Sequence, residues 1–377
     1  MWLTSSAALA RLGSKPQSLY ANVSRGRIRA KPDPADSRRS LYREEDVDRV
    51  AQRSRGRRSA MAAASEAIAW GEPVLPSAIS TVVAGRLYYR GEDAAELSAT
   101  ATLEQVIELL WDCRYAPRDA EPPAAPSVGA ALVALARAAA GGQPSSERGA
   151  ARLRDDALAC FAIVAANLAG AGAGPLHERL AGSFGRPGAA EVIRRALVLL
   201  ADHELNASTF AARVTVSTGA PLGAGVLSGL AALGGPRHGN AASEVMALAD
   251  DIQHQPGTAE AALLDWLGER RVVPGFGHRL YPRGDIRARV LMEAFAVPPP
   301  FLRLAAAGRA VLEEEPNIDF ALAALAVAYE LPPRAPGAIF ALARSVGWLA
   351  HGLEQAAAGQ LIRPRAHYVG RPPGTSG

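Results

Sequence analysis

The chain has 377 residues, 49% apolar and 21% charged, which excludes collagen-like, disulfide-scaffold and disordered architectures and allows one large globular body with a small appendage. Residues 1–59 hold fourteen of the 41 Lys and Arg and six of the 37 Asp and Glu, so a segment at +8 precedes a body at −4. That asymmetry predicts a basic module able to meet an anionic polymer.

Within the basic segment, Thr4-Ser5-Ser6 can cap a short helix closing at Leu12-Gly13, and Ser14-Lys15-Pro16 can cap a second. In the second, Leu19, Tyr20 and Val23 are spaced to pack inward, leaving Lys15, Gln17, Ser18 and Asn22 outward to read base edges. Arg25, Arg27, Arg29, Lys31, Arg38, Arg39 and Arg43 surround the turn-forming Pro32-Asp33-Pro34, which predicts a basic hairpin, and Glu44 to Arg53 predicts a third helix. This order resembles the winged helix-turn-helix of MerR-type and excisionase-like proteins. The resemblance implies a DNA partner, with phosphate contacts from the wing and from Arg53, Arg55, Arg57 and Arg58. A solvated basic surface serving only assembly is the other reading. A basic domain over 1–58 and a linker over 59–73 are therefore expected.

From residue 74 onward, alanine-rich runs with helical spacing recur at Leu97–Trp111, Val128–Ala140, Arg152–Leu168, Glu191–Leu200, Ser243–Ile252, Thr258–Leu267, Ile286–Phe295 and Phe320–Leu331. Strand-like alternation is confined to Ile79–Tyr89, so a mostly α-helical body is expected. Ala157–Leu176 and Val214–Pro236 carry no charge over a membrane-spanning length, but their Ala and Gly content predicts buried helices instead. Such helices need deep burial or a subunit interface, which a homodimer would supply. Glu121–Ser146 reads as surface loops around one helix. Cys113 and Cys160, forty-seven positions apart, suggest neither a disulfide framework nor a zinc site. MWLTSSAALA lacks the basic flank and apolar run of a secretory signal. A soluble, cytoplasmic protein is expected.

Four of the seven histidines lie in segments dense with Gly, Pro, Arg or acidic groups: Asp202-His203-Glu204, Arg237-His238-Gly239-Asn240, Gly277-His278-Arg279 and Ala350-His351. No pair has the spacing of a zinc site, and Arg237 and Arg279 would repel a metal, so none is expected. Arg287, Arg344, Arg363 and Arg365 stand isolated among apolar neighbours. A buried guanidinium cannot lose its charge and needs an anion, either a substrate carboxylate or an internal partner such as Asp202, Glu204 or Glu354.

His203-Glu204-Leu205-Asn206-Ala207-Ser208-Thr209, Gly235-Pro236-Arg237-His238-Gly239, Pro274-Gly275-Phe276-Gly277-His278-Arg279, Pro316-Asn317-Ile318-Asp319-Phe320, Arg344 to His351, and Arg363-Pro364-Arg365 resemble the citrate synthase family in order and separation. The resemblance covers about residues 74–370. It implies a helical large domain (about 74–200 and 335–370) and a small domain (201–334). It also implies a homodimer that condenses an acyl-CoA, most often acetyl-CoA, with oxaloacetate. The coenzyme A thioester would be a co-substrate, with no tightly bound cofactor. Asp319 matches the base, His238 the donor to the thioester oxygen, and His278 the group that polarises the ketone. Arg287, Arg344 and Arg363 match the carboxylate-binding arginines, the last acting across subunits, with His203 assisting. Pro274, Gly275, Phe276 and Gly277 match the loop that recognises the CoA adenine, and Arg279 and Arg283 are candidates for its phosphates.

The chemistry is consistent with those roles: a thioester methyl is a very weak acid and needs an adjacent base and a donor to the developing enolate. The His238 ring would work neutral, with its other nitrogen held by a backbone carbonyl. Asn240 stands where the family has a second glycine, and Arg237 places a cation beside the imidazole. Two alternatives remain at this point: 2-methylcitrate formation from propionyl-CoA, and a DNA-binding regulator whose body senses CoA esters or oxo acids.

Overall fold

The structure, a computed structural model, describes residues 2–12, 19, 22–23, 27–33, 36–48, 50, 75–146, 148–235, 238–239, 241–254, 257–269, 273–366 and 368–370. The chain divides into two compact units, Met1–Pro76 and Ser77–Gly377.

In the first unit, β1 (Trp2–Leu3) and α1 (Ser5–Leu12) precede an antiparallel hairpin of β2 (Ala30–Asp33) and β3 (Asp36–Arg43), with β1 on the far side of β3. Thr4 caps α1 by accepting the Ala7 N–H at 3.4 Å. Residues 44–48 are helical. Ala8, Leu12, Leu19, Ile28, Tyr42 and Val47 form a small core. Several basic residues are matched within the unit. Arg29 forks onto the buried Asp46 at 2.7 and 2.9 Å, Arg11 meets Glu44 and Asp48, Arg39 meets Asp36 and Arg43 meets Glu45. Arg27 is exposed, Asn22 is half-buried and Arg38 lies in β3. Lys15, Gln17, Ser18 and Arg25 fall outside the described residues, as does the linker.

The second unit is mostly helical. It opens on a hairpin, β4 (Ser80–Val83) and β5 (Arg86–Tyr89), whose two-residue turn Ala84-Gly85 has both φ angles positive, as tight hairpins require. The strand-like alternation over Ile79–Tyr89 is thus a pair of strands. β6 (Glu92–Asp93) completes the sheet. The run expected as one helix from Leu97 breaks into α2 (Ala94–Thr100) and α3 (Leu103–Trp111), because Thr102 and Gln105 form a capping box that starts a new helix. Then follow α4 (Val128–Gly141), α5 (Ala150–Ala169), α6 (Leu176–Ser183), α7 (Ala190–Leu200), α8 (Ala207–Ser217) and α9 (Leu222–Leu233). The uncharged stretch Val214–Pro236 thus spans two helices, divided where Gly219 takes φ +84° ahead of Pro221.

The remaining helices are α10 (Ala241–His254), α11 (Ala259–Glu269), α12 (Ile286–Met292), α13 (Pro299–Val311), α14 (Ile318–Ala328) and α15 (Ala335–Ala358). α15 is the spine: Arg344 and Trp348 are each 1% exposed, and Trp111 donates its indole N–H to Val346 O at 2.9 Å. Two apolar cores result. The larger joins α3, α5, α7 and α15 and also takes Ala212, Val216, Leu222 and Val226 of α8 and α9, in the segment assigned from sequence to the small domain. The second is built on Val245, Leu248, Leu263, Phe301, Leu304 and Phe320. α14 serves both, giving Phe320, Ala323 and Ala324 to the second and Ala321, Leu322 and Leu325 to the first. Its N-terminal turn, which carries Asp319, therefore lies where the two cores meet. Among the described residues no helix is long and apolar enough to cross a membrane.

Candidate active site

Arg287 and Arg344 are among the buried arginines of the second unit. Asp285 caps α12 by accepting the Arg287 N–H at 3.0 Å, and the same carboxylate takes Arg287 Nε at 2.9 Å and Nη2 at 2.8 Å. Asp285 Oδ2 also accepts the Ile318 N–H at 3.1 Å, tying the start of α14 to the start of α12. The internal partner of Arg287 is therefore Asp285, not Asp202, Glu204 or Glu354. Arg344 differs: its Nε donates to Leu200 O at 2.9 Å and its guanidinium lies over the Phe340 ring at 4.8 Å. Arg363 is exposed in the extended segment after α15.

Three imidazoles gather by these cations. The His203 and His278 rings stand edge to face, 5.0 Å apart. Tyr281 joins them: its hydroxyl lies 2.8 Å from His203 Nε2, its ring 5.0 Å from His278, and Arg287 lies over its face. The Leu280 N–H donates to His278 Nδ1 at 3.2 Å, so a neutral ring carries its hydrogen on Nε2. Burial, reinforced by Arg344, pulls His238 down to about 4. Burial and then Arg287 do the same to His278, against Asp285. His203 falls well below its ordinary value through burial, Arg287 and Arg344. All three rings are thus neutral at ordinary pH, and the positive charge sits on the arginines.

Among the described residues the His238 ring is held by a hydroxyl, in place of the backbone carbonyl expected. Ser208 Oγ lies 2.9 Å from His238 Nε2 and 2.8 Å from Asn206 Oδ1, and it accepts the Trp348 indole N–H at 3.2 Å. Its single hydrogen can face either neighbour. Turned to Asn206, it leaves the His238 hydrogen on Nε2; turned to Nε2, it leaves the hydrogen on Nδ1 to meet a ligand oxygen. Gly239 is required by packing, since a Cβ there would stand 2.5 Å from Leu233 O. Pro236, Arg237 and Asn240 lie outside the described residues.

Asp319 sits in the first turn of α14, whose N-terminus Asn317 caps by accepting the N–H groups of Asp319 and Phe320. Asp319 Oδ1 is buried and, among the described residues, has no hydrogen-bond partner. Burial pushes the carboxyl up to about 6, Arg287 and Arg344 pulling against it and Asp285 with it. A carboxylate poised near neutrality with an unsatisfied oxygen is suited to proton abstraction.

The loop Pro274–Gly277 is tied by its backbone to residues 315–317. Gly277 N–H donates to Glu315 O, and Gly275 O accepts the Asn317 N–H, each at 2.9 Å around the Phe276–Pro316 bridge. Those backbone groups are occupied internally. Phe276 packs on Phe320 at 5.4 Å, and only glycine fits at 308, where a Cβ would stand 2.0 Å from the ring. Beside the loop, a cavity of about 450 Å³ is lined by Arg283, Arg289 and Arg309 and by Asp285, Glu293 and Glu315, with Arg309 paired to Glu315 at 3.1 Å. Arg279 is exposed and does not line it.

Sequence reasoning singled out His203, His238, His278, Arg287, Arg344 and Asp319, whose interactions interlock. It missed the roles of Tyr281, Asp285 and Ser208. Asp285 carried a legible signal, an acidic residue at a helix start two positions before an isolated arginine. The Tyr281 and Ser208 contacts cross long stretches of sequence.

Residues 117–365 match the family model described as citrate synthase, C-terminal domain. The chain is 29% identical over 346 residues to citrate synthase 2 of Bacillus subtilis (strain 168), covering 78% of this chain and 93% of that protein. It is 39% identical over 191 residues to the citrate synthase of Haloferax volcanii, covering 48% and 50% of the two. Among solved structures it is similar to citrate synthase from Thermotoga maritima MSB8, at 28% identity and TM-score 0.65 over 80% of this chain and 94% of that one. The Thermoplasma acidophilum citrate synthase, solved in ternary complex with carboxymethyl coenzyme A and oxaloacetate, shares the fold, at 24% identity and TM-score 0.67 over 81% of this chain and 96% of that one.

Proposed function

Because the chain belongs to the citrate synthase family, we propose that it condenses acetyl-CoA with oxaloacetate and water to give citrate and free CoA. The observation that carries this reading is the half-buried Asp319, whose Oδ1 has no hydrogen-bond partner among the described residues, beside the buried guanidiniums of Arg287 and Arg344 and three neutral imidazoles. Arg287 and Arg344, completed by Arg363 of the partner subunit in a homodimer, bind the two oxaloacetate carboxylates, with His203 assisting. His278 Nε2–H polarises the ketone. Asp319 removes a methyl proton of the thioester while His238 Nδ1–H, freed when the Ser208 hydroxyl faces Nε2, stabilises the enolate oxygen. The carbanion adds to the ketone carbon, His278 protonates the alkoxide, and water cleaves the citryl thioester.

CoA is assigned to the aromatic loop around Phe276 and the cavity beside it, where Arg289 joins Arg283 as a candidate for its phosphates, while Arg309 is paired with Glu315. Arg279 is proposed from its position in the loop motif. The second core is the candidate small domain, closing about the start of α14. The relatives named above are citrate synthases, which favours acetyl-CoA over propionyl-CoA and catalysis over sensing. The test is oxaloacetate-dependent release of free thiol from acetyl-CoA by the purified protein; no release from any acyl-CoA overturns the reading. A cytoplasmic location is supported by the two free thiols, Cys113 and Cys160.

We read residues 1–58 as a winged helix-turn-helix that binds DNA, supported by the +8 charge and by a helix beside an antiparallel hairpin. Lys15, Gln17, Ser18, Asn22, Arg25, Arg27, Arg38 and Arg39 are the candidates for the main contacts, Arg39 from an exposed position beside Asp36. Affinity for duplex DNA is expected to fall steeply between about 50 and 200 mM salt and to vanish on deletion of 1–58. Salt-insensitive binding, or none, leaves the unit to assembly.

A further inference from the structure

Behind Arg344 runs a line of buried polar groups that no step above uses. Asp202 and His351 are fully buried and Arg213 is 2% exposed. Asp202 Oδ2 accepts from the Ser80 hydroxyl and lies 3.2 Å from His351 Nε2. On the other side of that ring, Arg213 Nη1 lies 3.2 Å from Nδ1. Arg213 also donates to Glu354 Oε2 at 2.6 Å and Gln355 Oε1 at 3.0 Å, and Glu354 Oε1 accepts the Ala78 N–H at 2.7 Å. Arginine can only donate, so His351 Nδ1 is the accepting nitrogen and Nε2–H faces Asp202. The line is thus fixed in direction from Glu354 to Asp202.

The line ends at the substrate side. Asp202 Oδ1 is buried without a hydrogen-bond partner among the described residues. A Cβ on Gly347 would stand 2.2 Å from it, so Asp202 packs on α15 one turn from Arg344. Among the described residues Arg344 has no carboxylate within ion-pair distance, whereas Arg287 has Asp285. Burial pulls Arg344 down to about 10, and Asp202 is the group that most opposes this. Asp202 also precedes His203. The next residue, Glu204, takes φ +50°, a conformation costly for a residue with a side chain. β4 clamps that turn: Ser80 Oγ accepts the Glu204 N–H at 3.0 Å, and Glu204 Oε1 accepts the Val82 N–H at 2.5 Å.

We propose that Asp202, oriented by His351 and Ser80, is a positioning residue for oxaloacetate, supplying the buried counter-charge of Arg344 and fixing the turn that carries His203. The inference rests on the function proposed above. It concerns affinity for the oxo acid and leaves the CoA side alone.

The test compares Asp202→Asn, His351→Leu and His351→Gln in the full chain, measuring kcat, KM for each substrate and thermal midpoint. Glutamine keeps a donor toward Asp202 and an acceptor toward Arg213. Losing a buried hydrogen bond to a charged group raises KM for oxaloacetate about 10- to 100-fold in Asp202→Asn and His351→Leu. KM for acetyl-CoA stays within about twofold, and His351→Gln recovers most of the oxaloacetate affinity. Should Asp202→Asn not fold, Ser80→Ala is read in its place and shows the same selectivity. Unchanged KM for oxaloacetate, or equal losses for both substrates that track the thermal midpoint without rescue by Gln, overturns the proposal. A wild-type protein that releases no thiol at all overturns the function it rests on instead.

Discussion

Asp319→Asn is expected to lower kcat about 10²- to 10⁴-fold, the usual contribution of a positioned base, while leaving the protein folded. The carboxyl is placed by the α14 cap, not by its own side chain, because Asn317 holds the backbone N–H groups on which Asp319 stands. Asparagine can therefore occupy the same place without abstracting a proton. The wild-type pH profile follows from the titrating groups. Asp319 sits at about 6 and must be ionised to act, whereas His238 and His278, at about 4, stay neutral throughout. The rate should rise with pH through about 6 and level off above it. The stability sign is opposite: a carboxyl whose value is raised by folding favours the native state in its protonated form, and that contribution is lost as pH rises through about 6. Asn carries no such cost, so the variant should melt no lower than wild type at pH 8. A flat rate between pH 5 and 8, or a variant that loses rate only by unfolding, contradicts this assignment.

Asp285→Ala is expected to destabilise the fold by about 3–5 kcal/mol, the range for removing one partner of a buried ion pair. Arg287 is 2% exposed and Asp285 4%, so the guanidinium left behind would have neither water nor a counter-ion. The carboxylate also holds the N–H groups of Arg287 and Ile318, so its loss loosens the starts of both α12 and α14. Chemical denaturation would show the fall directly. A shift under about 1 kcal/mol would place the pair in a more solvated setting than its burial indicates.

The helical class, the isolated arginines and the order of the histidine motifs were legible because each is local or depends on spacing. α7 shows this well: its apolar positions recur along one face, and Glu191–Leu200 was read nearly to its observed bounds, Ala190–Leu200. α9 was harder, since Leu222–Leu233 has no charged residue and its break from α8 depends on Gly219 and Pro221. Helix α13 was missed because it opens on Pro298, Pro299 and Pro300, which read as loop but suit a helix start. Within the site, His238 was named without its holder, because the Ser208 hydroxyl lies thirty positions away, on α8. The line from Glu354 to Asp202 is less legible still. Its bonds join residues more than 130 positions apart, and only packing of α8 against α15 brings them together.

The most direct measurement is a structure of the protein with oxaloacetate bound. The account predicts its carboxylates on Arg287 and Arg344 and its ketone oxygen on His278 Nε2, with Asp319 Oδ1 still unpaired and facing the space left for the thioester methyl. Oxaloacetate bound away from these arginines, or Asp319 turned from the ligand with its oxygen satisfied elsewhere, would contradict it.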